Sequence, residues 1–295
     1  MATIADVKKD MEFYQDFGSL IEALKSITVA QFHTLEKKIK TFDEFASILE
    51  SFFHLIDLKS VWHPFVQAQV AGVGVVAITS DAGLLGGFNN RIMHVAMNYL
   101  RNPQNKLIVV GSQGKRIAEG FKVSFEFFTG AEEGERHSRA VQIRNYIIED
   151  VLYRRLGALK VIYAFAPSIT NQKIVEYDLL PCTEWPKDHT GPTGRNPLEG
   201  GGDLGQPGLD YILESPVGSI IEYLAYLWIG QRLFEILQFS RLAEYAARFV
   251  HLEESSQKIK DLDEKLRLQY FRVRHGIIDQ QMRELFAARS LYARK

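Results

Sequence analysis

Residues 78–90 read ITSDAGLLGGFNN, and this stretch decides how the middle of the chain is organised. Three glycines lie within five positions directly after a β-branched run, which predicts a tight turn with close backbone approach. Asparagine is favoured at helix starts, so we expect the asparagines to cap the helix that follows. We therefore predict a structural turn between a strand and a helix, formed by Asp81, Gly83, Gly86, Gly87 and Asn89.

Short β-branched runs and helical stretches alternate on both sides of this turn. The β-branched runs end in turn residues and are predicted as strands at 74–80, 106–111 and 159–166. Helical stretches at 89–101 and 138–156 separate them. Strands that alternate with helices predict an open α/β sheet of the Rossmann-like kind.

The α/β domain is predicted to span residues 63–210, because helix breakers are confined to the middle of the chain. All nine prolines lie between Pro64 and Pro216, and eighteen of the 22 glycines lie in the same window. In a helix interior, proline costs about 3 kcal/mol and glycine about 1 kcal/mol relative to alanine. Within this domain, residues 187–209 hold seven glycines and three prolines without periodicity, which predicts a flexible loop.

The two ends of the chain, residues 1–62 and 211–295, are predicted to be long helices. From Phe13 to Ile56 apolar residues recur at steps of three or four, and two largely apolar seven-residue series run from 242 to 277. Such long periodic stretches are typical of coiled coils, so we expect the two helices to pair antiparallel. The seam is assigned to Leu20, Ile27, Leu252, Ile259, Leu266 and Val273.

The composition excludes several classes of protein. The chain has 295 residues and a net charge of −1, so no overall field attracts it to nucleic acid or to an anionic membrane. Its longest uncharged apolar run, residues 70–78, is far shorter than the about 20 residues that span a bilayer. Cys182 is the only cysteine, so no disulfide can form within the chain.

Two glycine-containing stretches imitate nucleotide-binding motifs without meeting their requirements. Gly72-x-Gly74 lacks the third glycine of the dinucleotide fingerprint and lies before or inside a strand. The glycines in GSQGK, residues 111–115, are too close together for a phosphate loop, so a turn into a helix is predicted there. Because no histidine pair or nucleophile motif is found either, we predict no catalytic, cofactor or metal site.

The glycine-rich turn resembles a motif of the γ subunit of F-type ATP synthases. In that family a strand ends in SDxGLxGGxN, and residues 80–89 reproduce the fixed positions. EYAAR at 244–248 is similar to the family's ExAAR in its last helix. YFRVR at 270–274 and IDQQMREL at 278–285 resemble its YNKxR and ITQELxEI. LIEALKSI at 20–27 looks like its ITKAMxMV, so the resemblance covers nearly the whole chain in the same order.

The chain departs from the family pattern at several positions, and it resembles a divergent member. Glu22 stands where the family usually has lysine, and Ala82 replaces a basic residue after the serine and aspartate. Asp279 and Gln281 replace a threonine and a glutamate in the last motif.

The resemblance implies a central stalk subunit that couples rotation of a membrane rotor ring to conformational change at catalytic sites on other subunits. The implied partners are the ATPase α and β subunits, an ε-type subunit and the c-ring, with no nucleic acid, no membrane insertion, no cofactor and no homo-oligomer. The implied location is peripheral, on the cytoplasmic face of a bacterial inner membrane or its organellar equivalent. The residues expected to contact the α/β ring are Leu24, Lys25, Arg248, Arg274, Gln280, Arg283 and Arg289.

The charge distribution fits this assignment. Residues 267–295 hold seven basic and two acidic side chains, a net charge of +5, whereas residues 1–60 hold seven basic and ten acidic side chains, a net charge of −3. We interpret the basic end as a surface for acidic partner segments, and a solvated helix end that favours the helix dipole is the alternative.

Two functions of other classes remain as alternatives. A small-molecule enzyme built on the α/β domain predicts a ligand pocket near Asp81 or Gly111. A coiled-coil scaffold unrelated to ATPases predicts homodimers that form through the terminal stripes.

Overall fold

A computed structural model of the chain describes residues 4–39, 62–181 and 215–292. Its helices are α1 (Ile4–Ile39), α2 (Phe88–Tyr99), α3 (Ser112–Phe121), α4 (Arg136–Leu152) and α5 (Val217–Tyr292). Its strands are β1 (Val73–Ile78), β2 (Lys106–Val110), β3 (Phe125–Phe128), β4 (Ala158–Ser168) and β5 (Asn171–Leu180).

The strands form one mixed sheet in the order β3-β2-β1-β4-β5. β1 pairs in parallel with β2 and β4, β2 pairs in parallel with β3, and β4 and β5 form an antiparallel hairpin. β1 reads VGVVAI and is almost entirely buried, which is typical of a central parallel strand covered on both faces. The glycine-rich turn follows this central strand.

The sequence prediction of a central α/β sheet between long terminal helices is confirmed, and so is the turn into a helix after Gly111. The prediction missed β3 and β5, the two edges of the sheet. β3 is only four residues long, and β5 alternates exposed polar with half-buried residues along most of its length. Neither edge strand carries the continuous apolar run that marks a central strand.

Each face of the sheet is covered by its own helices. On one face, Ile143 and Ile147 of α4 pack with Ile229 and Leu233 of α5 against the sheet. On the other face, a second cluster contains α2 residues, the apolar residues Phe32, Leu35 and Ile39 of α1, and Leu242, Ala243 and Ala246 of α5.

The chain divides into two compact units, residues 1–28 with 249–295 and residues 29–248. The predicted division at 62/63 and 210/211 stays a prediction. Residues 40–61 of the predicted first helix, the predicted loop 187–209 and Cys182 lie outside the described residues.

In the unit formed by residues 1–28 and 249–295, the two helical segments pair antiparallel. Gln15 Nε2 lies 3.4 Å from Asp263 Oδ1, and Lys25 Nζ lies 2.8 Å from a Glu253 carboxylate oxygen. As α1 advances from Gln15 to Lys25, its partners on α5 therefore move back along the chain by the same number of residues. This direction is the one that the sequence predicted.

The seam of this pairing differs from the predicted one on the α1 side. Ile21 is 4% exposed and packs in a cluster with Leu252 and Ile259 of α5. Leu20 and Ile27, which the sequence analysis assigned to the seam, are both 54% exposed, so that assignment was wrong. On the α5 side, Leu266 and Val273 are half-buried.

The error arose because α1 carries two stripes of suitable spacing. Val7, Tyr14, Ile21 and Thr28 recur every seven residues and are buried or half-buried. The members of the other, more apolar stripe are Phe13, Phe17, Leu20, Leu24 and Ile27, and they are exposed. Thr28 is tolerated in the seam because its hydroxyl donates to the Leu24 carbonyl at 2.8 Å.

This seam can be tested with two neighbouring residues of α1. Ile21→Ala should lower the local unfolding free energy by about 2–4 kcal/mol, because it opens a cavity against Leu252 and Ile259. Leu20→Ala is the matched control and should cost less than about 1 kcal/mol, since Leu20 is mostly exposed. Amide hydrogen exchange at residues 252–259 of the full chain measures both, and an equal loss of protection would contradict this register.

Candidate functional site

The glycine-rich turn is closed by a reciprocal pair of hydrogen bonds between its ends. Asn89 Oδ1 accepts a hydrogen bond from Ser80 N at 3.0 Å, and Asn89 Nδ2 donates one to Ser80 Oγ at 2.8 Å. Ser80 Oγ donates in turn to the Ala82 carbonyl at 3.0 Å. Because Ser80 is buried, these bonds satisfy polar groups that water does not reach.

This role of Asn89 corrects the expectation that an asparagine caps α2. The N-cap residue is Gly87, and none of the side chains that the structure describes caps this helix. Asn89 lies two residues further on, inside the first turn of α2, where its amide reaches the buried end of β1. Without Asn89 the buried Ser80 N–H would lose its hydrogen-bond acceptor, and this requirement accounts for the position of the Asn89 side chain.

The three glycines of the turn differ in whether backbone conformation or steric crowding requires a glycine at their position. Gly86 has a φ of 56°, in the left-handed region that favours glycine. Gly83 and Gly87 have no such φ, and a Cβ at either would meet no described atom within 4 Å. Between them, Leu84 is 60% exposed. Packing among the described residues therefore gives no steric reason for Gly83 or Gly87, which are exposed beside Leu84.

Asp81 links the turn to the connection between β2 and α3. Its Oδ1 accepts hydrogen bonds from Ser112 N at 2.7 Å and from Ser112 Oγ at 2.6 Å. Gly111, one residue earlier, has a φ of 101°, and a Cβ there would collide with the backbone of Thr79. The carboxyl ends of β1 and β2 are thus held side by side.

The turn also meets the EYAAR stretch of α5, residues 244–248. Asp81 and Glu244 both line a cavity of about 30 Å³ at the carboxyl ends of β1 and β2. The full lining is Ile78, Thr79, Asp81, Val110, Gly130, Ala131, Arg136, Leu237, Ser240, Arg241 and Glu244. Two motifs that are far apart in the sequence therefore come together at one polar junction, which we call the turn–helix junction.

The charges at the turn–helix junction balance. Glu244 and Arg136 are buried, and Arg241 Nη1 lies 2.6 Å from Glu244 Oε2. Burial raises the pKa of the Glu244 carboxyl, although Arg241 beside it acts in the opposite direction. Burial lowers the pKa of the Arg136 guanidinium, which donates a hydrogen bond to Gln238. With Asp81, two acidic and two basic side chains line the cavity.

Arg136, Ser240 and Arg241 were not predicted from the sequence to belong to a site. Arg241 precedes Glu244 by three residues, so this ion pair could have been predicted from helical spacing. Arg136 comes from α4, a different helix, and no local sequence pattern marks it.

A second polar cluster flanks the seam between α1 and α5. Lys25 Nζ lies 2.8 Å from carboxylate oxygens of both Glu22 and Glu253. Glu22 also accepts a hydrogen bond from the buried Ser256 hydroxyl at 2.7 Å. Hydrogen bonds to Glu22 and Glu253 raise the pKa of the Lys25 ammonium. Lys25, expected to contact a partner ring, is therefore engaged within the chain.

The remaining residues expected to contact a partner differ in exposure. Leu24 is partly exposed, and Arg248 is half-buried with its guanidinium 5.9 Å from the centre of the Tyr245 ring. The others lie on the last part of α5 and are exposed: Arg274, Gln280, Arg283 and Arg289.

Neither a metal site nor a membrane-spanning helix is found in the described parts of the chain. No group of histidine, cysteine, aspartate and glutamate there is arranged to hold a metal ion. None of the described helices combines the length and apolar character needed to cross a bilayer.

Comparison with known proteins identifies the family. A family model described as ATP synthase matches residues 3–290. The chain belongs to this ATP synthase family. Its relatives include the ATP synthase gamma chain of Desulforamulus reducens, 21% identical over 97% of both chains. The ATP synthase gamma chain of Prosthecochloris aestuarii is 25% identical, also over 97% of both chains.

Solved structures share the fold. The rotor of the Euglena gracilis mitochondrial ATP synthase matches with a TM-score of 0.61 at 16% identity, over 93% of this chain and 98% of that chain. The central stalk and c-ring structure of the Tetrahymena thermophila mitochondrial ATP synthase matches with a TM-score of 0.58 at 17% identity. That match covers 80% of this chain and 99% of the other. These matches show that the chain has the fold of the ATP synthase central stalks. The family match and the relatives named ATP synthase gamma chain support the role of a γ-type central stalk subunit.

The hydrogen bonds of Asn89 lead to a direct prediction. Asn89→Ala should lower the unfolding free energy by about 1–3 kcal/mol, because it leaves the buried Ser80 amide without its acceptor. The neighbouring exposed Asn90→Ala is the matched control and should be nearly neutral. Urea denaturation of the full chain measures both, and equal midpoints for Asn89→Ala and Asn90→Ala would contradict the closure of the turn by Asn89.

Proposed function

We propose that this chain is the shaft that transmits rotation of a membrane c-ring to catalytic sites on a surrounding ring of α and β subunits. In this proposal the chain carries no catalytic residue and imposes different conformations on equivalent sites by being asymmetric, a mechanical form of state selection. An ε-type subunit is a further partner, and the chain does not form homo-oligomers.

The observation that carries the proposal is the unpaired end of α5. In the register set by Gln15 with Asp263 and Lys25 with Glu253, the first residue of α1, Ile4, falls opposite Arg274. α5 continues to Tyr292, about 27 Å further at 1.5 Å per residue. Within the described residues, this last segment has no α1 partner, and every side chain described from Arg274 to Phe286 is exposed.

The surface of this segment indicates what surrounds it. Ile277, Met282, Leu285 and Phe286 are all large apolar side chains left exposed in the isolated chain. Arg274, Arg283 and Arg289 lie among them. Large exposed apolar patches usually mark sites where a partner protein binds. The complementary partner surface would surround this helix with apolar residues and with acidic segments opposite the arginines.

The exposed stripe of α1 supports the same environment. Phe13 and Phe17 stack with ring centroids 6.0 Å apart, and Leu20, Leu24 and Ile27 continue the stripe. Apolar surface on more than one side of a helix pair is expected of an axle that is enclosed on several sides.

We assign residues 1–62 and 211–295 to the shaft and residues 63–210 to a foot on the c-ring. The relative from Tetrahymena thermophila is a central stalk solved with its c-ring, which supports this assignment. We place the chain at the periphery of an energy-transducing membrane, on the cytoplasmic face of a bacterial inner membrane.

The two described cavities differ from typical small-molecule sites. The turn–helix junction encloses about 30 Å³, whereas small-molecule sites usually enclose about 300–1,000 Å³. A groove of about 460 Å³ runs along α4, but its lining of Asn145, Ile148, Glu149, Leu152 and Tyr153 offers one acidic group and no convergent set of polar groups.

The basic end of α5 can be tested in the assembled complex. Replacing Arg274, Arg283 and Arg289 together with glutamine should leave the complex assembled, because an exposed ion pair contributes only about 0–1 kcal/mol. The rate of ATP hydrolysis or its coupling to ion pumping should nevertheless change. A weak contact made at one angle of rotation can set the energy barrier to further rotation. Arg274→Gln should have the largest effect of the three single changes, because Arg274 falls on a basic position of the family motif.

The measurement is ATP hydrolysis and ATP-driven ion pumping by the purified complex. Arg267→Gln is the matched control, because Arg267 pairs within α5 with Asp263 at 3.1 Å. Unchanged rates and coupling in the triple variant would show that the basic end is only a solvated helix terminus.

A further inference from the structure

The turn–helix junction contains a buried hydroxyl group, that of Ser240, for which the described residues provide no hydrogen-bond partner. Ser240 is 2% exposed and lines the cavity, and its Oγ has no hydrogen-bond partner within the part of the chain that the structure describes. Arg241 Nε, on the next residue, is buried and equally without a partner there. An unsatisfied buried polar group costs about 1–3 kcal/mol, so two at one cavity need an explanation.

Other helical hydroxyls in this chain show what Ser240 could have done. A serine or threonine in a helix can donate to the carbonyl four residues earlier. This bond is made by Ser19, Ser26, Thr28, Thr34 and Ser255. Ser240 does not make it. Its hydroxyl is therefore available to a ligand in the cavity rather than committed to its own helix.

The size and charge of the cavity select the ligand. A volume of about 30 Å³ exceeds the about 10–15 Å³ that one water requires and is far too small for an organic molecule. Arg136 and Arg241 disfavour a cation, and Glu244 and Asp81 disfavour an anion. A neutral ligand that both accepts and donates hydrogen bonds meets these conditions.

We propose that the cavity is a binding site for water, held by Ser240 and Arg241 and bridging them to Glu244. The water oxygen accepts hydrogen bonds from Ser240 Oγ and Arg241 Nε, and its two hydrogens are available to carboxylate oxygens. Buried waters typically make about three hydrogen bonds of this kind. Asp81, which is exposed, lies at the edge of the cavity and provides a second acceptor.

This water joins the two motifs that meet at the junction. Ser240, Arg241 and Glu244 belong to α5, whereas Asp81 belongs to the glycine-rich turn. Through this water, Ser240 and Arg241 help to hold α5 against the turn. The proposal of a water site does not rest on the rotary function proposed above, so the two proposals can be tested separately.

The direction in which Ser240→Ala shifts the melting temperature distinguishes a cavity that holds water from an empty one. If water is bound, Ser240→Ala removes one of its partners, and the melting temperature of the full chain should fall by about 2–4 °C. If the cavity is dry, Ser240→Ala removes an unsatisfied hydroxyl, and the melting temperature should rise. Ser219→Ala, an exposed change on the same helix, calibrates the gain in helix propensity and should shift the melting temperature little. A rise for Ser240→Ala beyond that of Ser219→Ala would overturn the proposal.

A crystal structure of the chain, alone or in its complex, provides the second test. We expect a water within hydrogen-bonding distance of Ser240 Oγ and Arg241 Nε in the parent protein, and its loss or displacement in Ser240→Ala. A parent structure in which the Ser240 hydroxyl bonds to the Ile236 carbonyl would contradict the proposal. So would an anomalous peak from bromide at this position after soaking, because it would identify an anion site.

Discussion

The antiparallel pairing of the first and last helices is the constraint on which the rest of the molecule depends. α1 begins at Ile4, which lies opposite Arg274 of α5 in this register. α5 is the longer helix and continues to Tyr292. In this register the segment of α5 after Arg274 has no α1 partner among the described residues. The polar groups beside the seam, Lys25 between Glu22 and Glu253 and Ser256 on Glu22, add directional contacts to an otherwise small apolar cluster. Directional contacts fix register in coiled coils, where apolar contacts alone tolerate slippage.

The second constraint lies in the α/β domain, where the central strand β1 ends in the glycine-rich turn. Asn89 closes the turn, Asp81 ties it to α3, and the cavity beside Asp81 is completed by Glu244 of α5. The family motifs in the middle and near the end of the chain therefore describe one place in the folded unit. Within this unit, the turn–helix junction therefore places α5 directly against the glycine-rich turn that ends the central strand.

Much of this architecture could be predicted from the sequence, because confined helix breakers and long apolar periods are strong local signals. The central sheet, the long terminal helices and their antiparallel pairing follow from these signals. The seam on α1 could not be predicted, since the more apolar stripe containing Leu20 and Ile27 is the exposed one and the buried stripe contains Thr28. In α1, apolar character therefore does not distinguish the buried stripe from the exposed one. The roles of Asn89 and Arg136 could not be predicted from the sequence either, because each side chain bonds to a buried partner in another segment of the chain.

Rotation of this chain within its complex is the most direct test of the account. The complex would be purified through a tag on the ring, with a probe attached at Trp62→Cys in a chain whose Cys182 is changed to serine; Trp62 is strongly exposed. Single-molecule recording during ATP hydrolysis should show the probe turning in one direction through full revolutions. A complex that hydrolyses ATP at its normal rate while the probe on this chain stays fixed would contradict the assignment of the chain as the rotating shaft.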